Sequence, residues 1–126
     1  MISVDNGVPG AVSRNTSYVE AVSGIDVDDG EFHLLVAVFS GTTSRKIYVD
    51  DNSPVENTTS VNFNTTVNRS AVGYPGDNGT GTDQALNGVV DQIRIYDHAL
   101  TDAEVLGLFQ EFFGGAENAL AFGGGF

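Results

Sequence analysis

Cysteine and tryptophan are absent from this chain of 126 residues, and lysine occurs only at Lys46. Without cysteine there is no disulfide framework and no thiolate metal site. That absence leaves the compartment open, because only the presence of disulfides argues for an oxidising one. Basic residues are scarce altogether: 5 stand against 17 acidic ones, for a formal net charge of −12. Such a chain repels nucleic acid and anionic membrane surfaces. Few Lys and many Asp also suit a salty setting, where ions screen self-repulsion; the plainer reading is an acidic, soluble protein. No apolar run approaches the ~20 residues that a membrane helix needs. The start, Met1 to Gly7, lacks a basic region and an apolar core, which predicts no signal peptide. Either Met1 is an artificial start, or the protein leaves its cell by another route.

The length predicts one domain, able to bury roughly two-thirds of its unfolded surface without covalent staples. Glycine, Asn and Thr are frequent, and β-branched residues dominate the apolar set. Short strands between turn clusters read as a β-sandwich or barrel. Residues 16–23 form one candidate strand, followed by a hairpin signal at Asp28-Asp29-Gly30. Phe32 to Phe39 is apolar at nearly every position, which predicts a central strand covered on both faces. Arg45 to Asp50 alternates, with Ile47 and Val49 on one face, and Asp51 to Pro54 turns the chain. Ser60 to Asn68 has the cleanest period of two: Val61, Phe63, Thr65 and Val67 share a face. After a long loop from Tyr74 to about Ala85, Val89 to Tyr96 reads as a further strand. Strict alternation puts Asp91 on the side of Ile93, so it is either buried and hydrogen-bonded or moved by a bulge near Gly88.

One helix is signalled, over 101–113. Thr101 and Glu104 have capping-box spacing, with Leu100 and Val105 at the staple positions. Val105, Leu108, Phe109, Phe112 and Phe113 make an apolar stripe expected to dock on the sandwich. Gly114-Gly115 ends it. Residues 1–113 are therefore expected to form the sandwich with its helix, and 114–126 a Gly/Phe-rich tail. That tail carries Leu120, Phe122 and Phe126, more large apolar groups than a free tail needs.

From Gly30 to Leu108 the order of motifs resembles the laminin G-like, concanavalin A-like family. Glu31-Phe32-His33-Leu34-Leu35-Val36-Ala37 is similar to its Trp-His-His-Val-Ala strand, with Phe32 for Trp and Leu34 for the second His. Ile47-Tyr48-Val49-Asp50-Asp51 is similar to its Leu-Tyr-Val-Asp-Gly hairpin, and Val72-Gly73 to its short Ile-Gly strand. The run from Leu86 to Val105 resembles the closing signature, in which Gly-x-Ile-Asp-Glu-Val-Arg-Ile-Tyr leads into Arg-Ala-Leu-Ser-x-x-Glu-Ile. The resemblance implies an all-β, antiparallel jelly-roll sandwich with one short C-terminal helix. Family members usually carry more strands upstream than the stretch before Gly30 provides. The jelly roll is then trimmed or completed by a partner, and an open sheet edge favours assembly.

The family includes laminarinase-type glycosidases, which need two carboxylates facing each other across the scissile bond. No Glu-x-Asp-x-Glu run occurs, and Asp26-Val27-Asp28 alternates only within a turn cluster. No enzyme activity and no required cofactor are expected. The resemblance also raises Ca²⁺ at one rim. Asp77 and Asp83 are the metal candidates, with Asn78 and Thr80 beside them and Asp50, Asp51 and Asn52 as further ligands from a neighbouring turn. The alternative is a solvated acidic turn. Among aromatics that stack on sugars, Tyr18, Tyr48, Tyr74 and Tyr96 qualify, and Tyr74 with Asn78 is the candidate ligand site. His33 and His98 lack a nucleophile or second His at suggestive spacing and read as packing or hydrogen-bonding residues. Asp91 and Arg94 read as parts of the closing strand. Asn-x-Ser/Thr sequons at Asn15, Asn57, Asn64, Asn68 and Asn78 read as Asn/Thr-rich strands rather than glycan sites.

Two functional readings follow. One is a non-catalytic display, adhesion or decoration module in a virion or other large extracellular assembly. It would self-associate or pair with neighbouring structural proteins through Leu120, Phe122 and Phe126. The other is a carbohydrate- or receptor-binding lectin, with or without Ca²⁺. Neither involves nucleic acid or membrane insertion.

Overall fold

The computed structural model describes residues 1–15, 17–62, 72–73 and 85–114. Among these residues six strands form two antiparallel three-stranded sheets. The first sheet holds β1 (Ile2–Asp5), β2 (Val8–Arg14) and β3 (Tyr18–Val22); the second holds β4 (Leu35–Phe39), β5 (Arg45–Val49) and β6 (Val55–Asn57). Helix α1 spans Asp102–Phe113.

The first sheet is a meander built by local turns. Asp5 pairs with Val8, so Asn6 and Gly7 make a two-residue hairpin, with φ of 47° and 80°. Positive φ at both central positions is what such a turn needs, and Asn-Gly meets it at least steric cost. Alternation in β2 and β3 sends Ala11 and Ala21 inward, where they pack on Ile47 of β5 with Ala37 and Phe39 alongside. β2 faces β5 and β3 faces β6. The opposite face of the second sheet carries Val38 and Tyr48, which pack with Val36, Leu100 and Val105 of α1. β4 and β5 are thus covered on both sides, which the apolar run to Phe39 predicts for β4; in β5 Tyr48, on the face opposite Ile47 and Val49, is buried as well. Phe32 lies outside β4 and is exposed.

Arg45 is wholly buried and locks the sheets together. Its Nε donates to Ser13 Oγ at 3.0 Å across the interface, and its terminal nitrogens donate to the carbonyls of Asn57, Thr42 and Thr59 at 2.8–3.2 Å. The rigid fork of the guanidinium suits this task, since it serves several acceptors at fixed angles. Asn57 adds a second tie, donating from Nδ2 to the Glu20 carbonyl at 2.7 Å.

Helix α1 starts on the expected capping box. Thr101 Oγ1 accepts from the Glu104 amide at 3.3 Å, and Glu104 Oε2 accepts from the Thr101 amide at 2.8 Å. Of the apolar stripe only Val105 is fully buried; Leu108, Phe109 and Phe112 are half-buried and Phe113 is exposed. The helix therefore docks through its first turns.

Several sequence expectations change. Asp28-Asp29-Gly30 does not close a hairpin, because β3 and β4 lie in different sheets and residues 23–34 cross between them. Residues 89–96 pair with no strand among the described residues. Gln92, at φ 56°, breaks the extended run, and Arg94 is drawn to α1 instead. That break, rather than a bulge at Gly88, resolves Asp91, which stays exposed and accepts from the Gln92 amide at 2.8 Å. Val72-Gly73 is a bend, with Gly73 at φ 74°. Residues 60–62 are irregular, although Val61 is buried as its face predicts, and 63–68 lie outside the described residues.

Candidate functional site

A surface groove lies where the β5–β6 turn meets the start of α1. β5 ends at Val49, and Asp50 follows in the left-handed region at φ 55°. Asp tolerates this conformation better than most residues because its short side chain bonds locally. The Asp50 amide donates to the Leu34 carbonyl at 2.9 Å, and Oδ1 accepts from the Leu34 amide at 2.9 Å. Oδ2 lies 2.7 Å from His33 Nδ1, and His33 Nε2 lies 3.0 Å from Asp29 Oδ1. Both carboxylates push the His33 pKa up, Asp50 the more strongly, against partial burial. The turn is thereby fastened to the start of β4, and His33 has a hydrogen-bonding role.

Beyond this fastening, Asp51, Asn52, Ser53 and Pro54 form one wall of a groove of about 200 Å³. Asp102, Val105 and Leu106 form the other wall, with Tyr48 between them. The Tyr48 hydroxyl donates to Asp102 Oδ1 at 2.6 Å, and Lys46 Nζ reaches the same oxygen at 3.3 Å. These two donors hold the Asp102 carboxyl below the usual carboxylate range, Tyr48 contributing first. Burial, then Asp102, pushes the Tyr48 phenol well above its ordinary value. The groove offers carboxylate oxygens and the Asn52 side-chain carbonyl around an apolar base. It suits a ligand rich in donors, such as a polyhydroxylated one.

A second polar group sits on the outer face of the first sheet. Glu20 accepts from Ser3 Oγ with one oxygen and from the Tyr18 hydroxyl, at 2.8 Å, with the other. Its side chain lies over Gly10, where a Cβ would collide with it. Tyr18 is exposed beside it.

A third feature is apolar. Between Leu86 and Tyr96 the side chains stay open to solvent, with Val89 77 % and Ile95 90 % exposed. Arg94 points the other way, making a bidentate pair with Glu111 at 3.1 and 2.7 Å while its guanidinium stacks 4.7 Å from the Phe112 ring.

The sequence-predicted site residues divide unevenly among these places. Tyr74, Asp77, Asn78, Asp83, Leu120, Phe122 and Phe126 lie outside the described residues. Asp26 and Asp28 share a local turn, in which Asp26 Oδ1 accepts from the Asp28 amide at 2.9 Å, and present no facing pair of carboxylates. Asp50, Asp51 and Asn52 line the groove, yet no set of three or more His, Asp or Glu able to hold a metal ion occurs among the described residues. Tyr48 is buried and structural, and His98 is exposed, 3.0 Å from Asp97. Sequence reasoning missed Asp102 as a site residue. Its position in the first helical turn hid it, because acidic residues belong there for the helix dipole alone.

Residues 3–106 match the Laminin_G_3 family model, described as the concanavalin A-like lectin/glucanases superfamily. The chain belongs to that superfamily. The match starts in β1, so the residues before Gly30, which supply the whole first sheet, are part of the superfamily domain. The superfamily fold is also that of the crystal structure of an S-layer domain-containing protein from Clostridium thermocellum. The two share 20 % identity at a TM-score of 0.57, over 83 % of this chain and 58 % of that one. This concanavalin A-like domain thus spans little more than half of the solved chain. No curated protein matches it.

Proposed function

We propose that the chain is a non-catalytic surface-display, adhesion or decoration module, working outside the cell as a structural component of a virion or other large assembly. The observation that carries this reading is the open apolar stretch from Leu86 to Tyr96, with Ile93 and Ile95 turned to solvent. Contiguous exposed apolar surface marks a contact with another macromolecule. The superfamily's lectins are binding proteins, and the S-layer name of the solved relative accords with a place at a surface. A glycosidase, by contrast, needs a carboxyl held up so that it can donate a proton. Among the described residues the displaced carboxyls, Asp29, Asp97, Asp102, Glu104 and Glu111, are all displaced downward.

Sedimentation velocity of the full chain over a concentration series tests this. The expected result is a self-associating species that weakens in Ile93→Asp/Ile95→Asp and in a chain lacking residues 116–126, which removes Leu120, Phe122 and Phe126. A monomer throughout, with no binding to neighbouring structural proteins of the same assembly, overturns it.

The groove favours a second reading, a carbohydrate- or receptor-binding lectin. Asp51, Asn52 and Asp102 present acceptors to hydroxyl groups over the apolar Val105 and Leu106. A glycan array probed with the wild type and with Asp51→Ala/Asn52→Ala decides it. Loss of signal in the variant supports the groove. Loss only with a chelator, or in Asp77→Asn/Asp83→Asn, moves the site to the Tyr74–Asp83 loop and gives it a Ca²⁺ ion.

A further inference from the structure

We propose that Asn87 is a site of spontaneous modification: the amide nitrogen of Gly88 attacks its side chain, water completes the exchange, and the residue becomes aspartate or isoaspartate. The dipeptide Asn-Gly occurs at residues 6–7, 78–79 and 87–88. Glycine carries no Cβ, so its nitrogen can approach a neighbouring group without hindrance. By sequence the sites are equivalent; by structure they are not.

Ring closure needs the chain to turn about the Cα–C bond of the asparagine until the next nitrogen faces its side-chain carbon. At Asn6 a closed hairpin fixes that bond. Asp5 pairs with Val8 around it, the Gly7 carbonyl accepts from the Val27 amide at 2.8 Å, and Asn6 Nδ2 donates to Asp5 Oδ1 at 3.2 Å. Asp26 Oδ1 also crowds Gly7. Asn87 and Gly88, by contrast, lie in irregular backbone and are both exposed. Among the described residues the hydrogen bonds flank them: the Leu86 amide donates to the Gly73 carbonyl at 2.7 Å, and the Gln92 amide to Asp91. Backbone without a ladder or core contact opens at little cost in free energy. Asn78-Gly79 lies outside the described residues.

Water is the sole co-reactant, and nothing is oxidised or reduced. The Gly88 nitrogen gives up its proton and bonds to the Asn87 side-chain carbon. The bond from that carbon to Nδ2 breaks, and ammonia leaves with the proton. The cyclic imide then takes up water. Cleavage at the side-chain carbon restores the backbone as aspartate; cleavage at the main-chain carbon routes the backbone through the side chain as isoaspartate. Either product sets a carboxylate between Leu86 and Val89, whose apolar side chains are exposed. Charged residues are depleted from the centre of protein interfaces, and a chain of net charge −12 becomes more negative still. Resting on the assembly reading above, the conversion lowers self-association through the Leu86–Tyr96 surface.

Peptide mass spectrometry of the folded full chain, held in mildly alkaline buffer for increasing times, tests the site. Asn87 should convert to the acid first, with an isoaspartyl share that an isoaspartyl methyltransferase labels, while Asn6 stays an amide. In urea, with the hairpin gone, the two should convert alike. Gly88→Ala, whose Cβ would make ordinary contact with Leu86 at 3.9 Å, should slow Asn87 and leave Asn6 unchanged. Asn87 remaining an amide in the folded chain, Asn6 keeping pace with it, or the same preference persisting in urea overturns the assignment. Sedimentation velocity then compares the fresh chain with Asn87→Asp and Asn87→Gln. Loss of the associated species in Asn87→Asp and its retention in Asn87→Gln is expected; equal association of the two overturns the effect on assembly. A fresh chain that never associates overturns the assembly reading and this effect together, while the mass measurement still judges the site.

Discussion

Arg45 Nε donates to Ser13 Oγ at 3.0 Å across the two sheets, and both residues are buried. The guanidinium has no carboxylate partner among the described residues; three backbone carbonyls complete its shell. In a chain of net charge −12, one of the few cations sits inside the sandwich and acts as a multiple donor. Arg45→Ala should cost about 3 kcal/mol or more, because each stranded buried acceptor adds its own desolvation penalty. Ser13→Ala should cost about 1 kcal/mol. Arg45→Lys should recover only part of the loss, since a compact ammonium cannot reach all four acceptors. Urea unfolding midpoints measure all three.

Gly10→Ala should displace Glu20 rather than β2. The three atoms nearest the new Cβ all belong to the Glu20 side chain, so that side chain is the group that yields. Ser3 and Tyr18 then lose their acceptor. The Tyr18 phenol, raised by desolvation first and by Glu20 next, should titrate closer to its ordinary value. Glu20→Gln should lower the same titration without the steric change. Both are read from the Tyr18 ring signals as pH rises.

At the helix start, Thr101→Ala should cost about 1 kcal/mol, the usual worth of an N-cap side chain. Asp102→Asn should lower the Tyr48 titration, because the phenol loses an anionic acceptor. The pH dependence has a definite sign. Asp102, Glu104 and Glu111 are all held below their ordinary values. Their stabilisation is present above the unfolded carboxylate range of ~4 and is lost as pH falls through the lowered values. Thermal melts from neutral to acidic pH should therefore show α1 loosening on the acid side, less so in Asp102→Asn.

Asn57 sits in a sequon yet spends its amide inside the protein. Nδ2 donates to the Glu20 carbonyl, and Oδ1 accepts from the Thr59 amide at 2.9 Å. A glycan on Nδ2 would remove the tie between β3 and β6. Material folded and secreted by a glycosylating host should carry sugar at exposed Asn15 before Asn57, as peptide mass spectrometry would measure.

A continuous apolar run located β4, which is packed on both faces, and period-two alternation located β5. The capping box located α1 to the residue, since caps are local chemistry. The first sheet was not read beyond β3. Pro9 and Gly10 interrupt β2 as a pattern, although Asn6-Gly7 between Val4 and Val8 was the available hairpin signal. Residues 89–96 pair with no strand among the described residues, and alternation alone cannot register a left-handed residue at Gln92 or the pull of Glu111 on Arg94. The groove joins Asp51 to Asp102 across half the chain, and no local pattern encodes such a meeting. His33 and Asp50 were each noticed; their contact depends on β4 and β5 pairing in register.

Each sheet is a meander drawn from one unbroken stretch, residues 2–22 and residues 35–57. Among the described residues every strand pairing is therefore with the next strand along, and loop closure stays cheap in entropy. On a ribosome the first meander can zip shut before the second has emerged. The late event is then their face-to-face arrival, when Arg45 trades water for Ser13, so an Arg45 variant should slow the final stage of refolding while leaving early hairpin formation untouched.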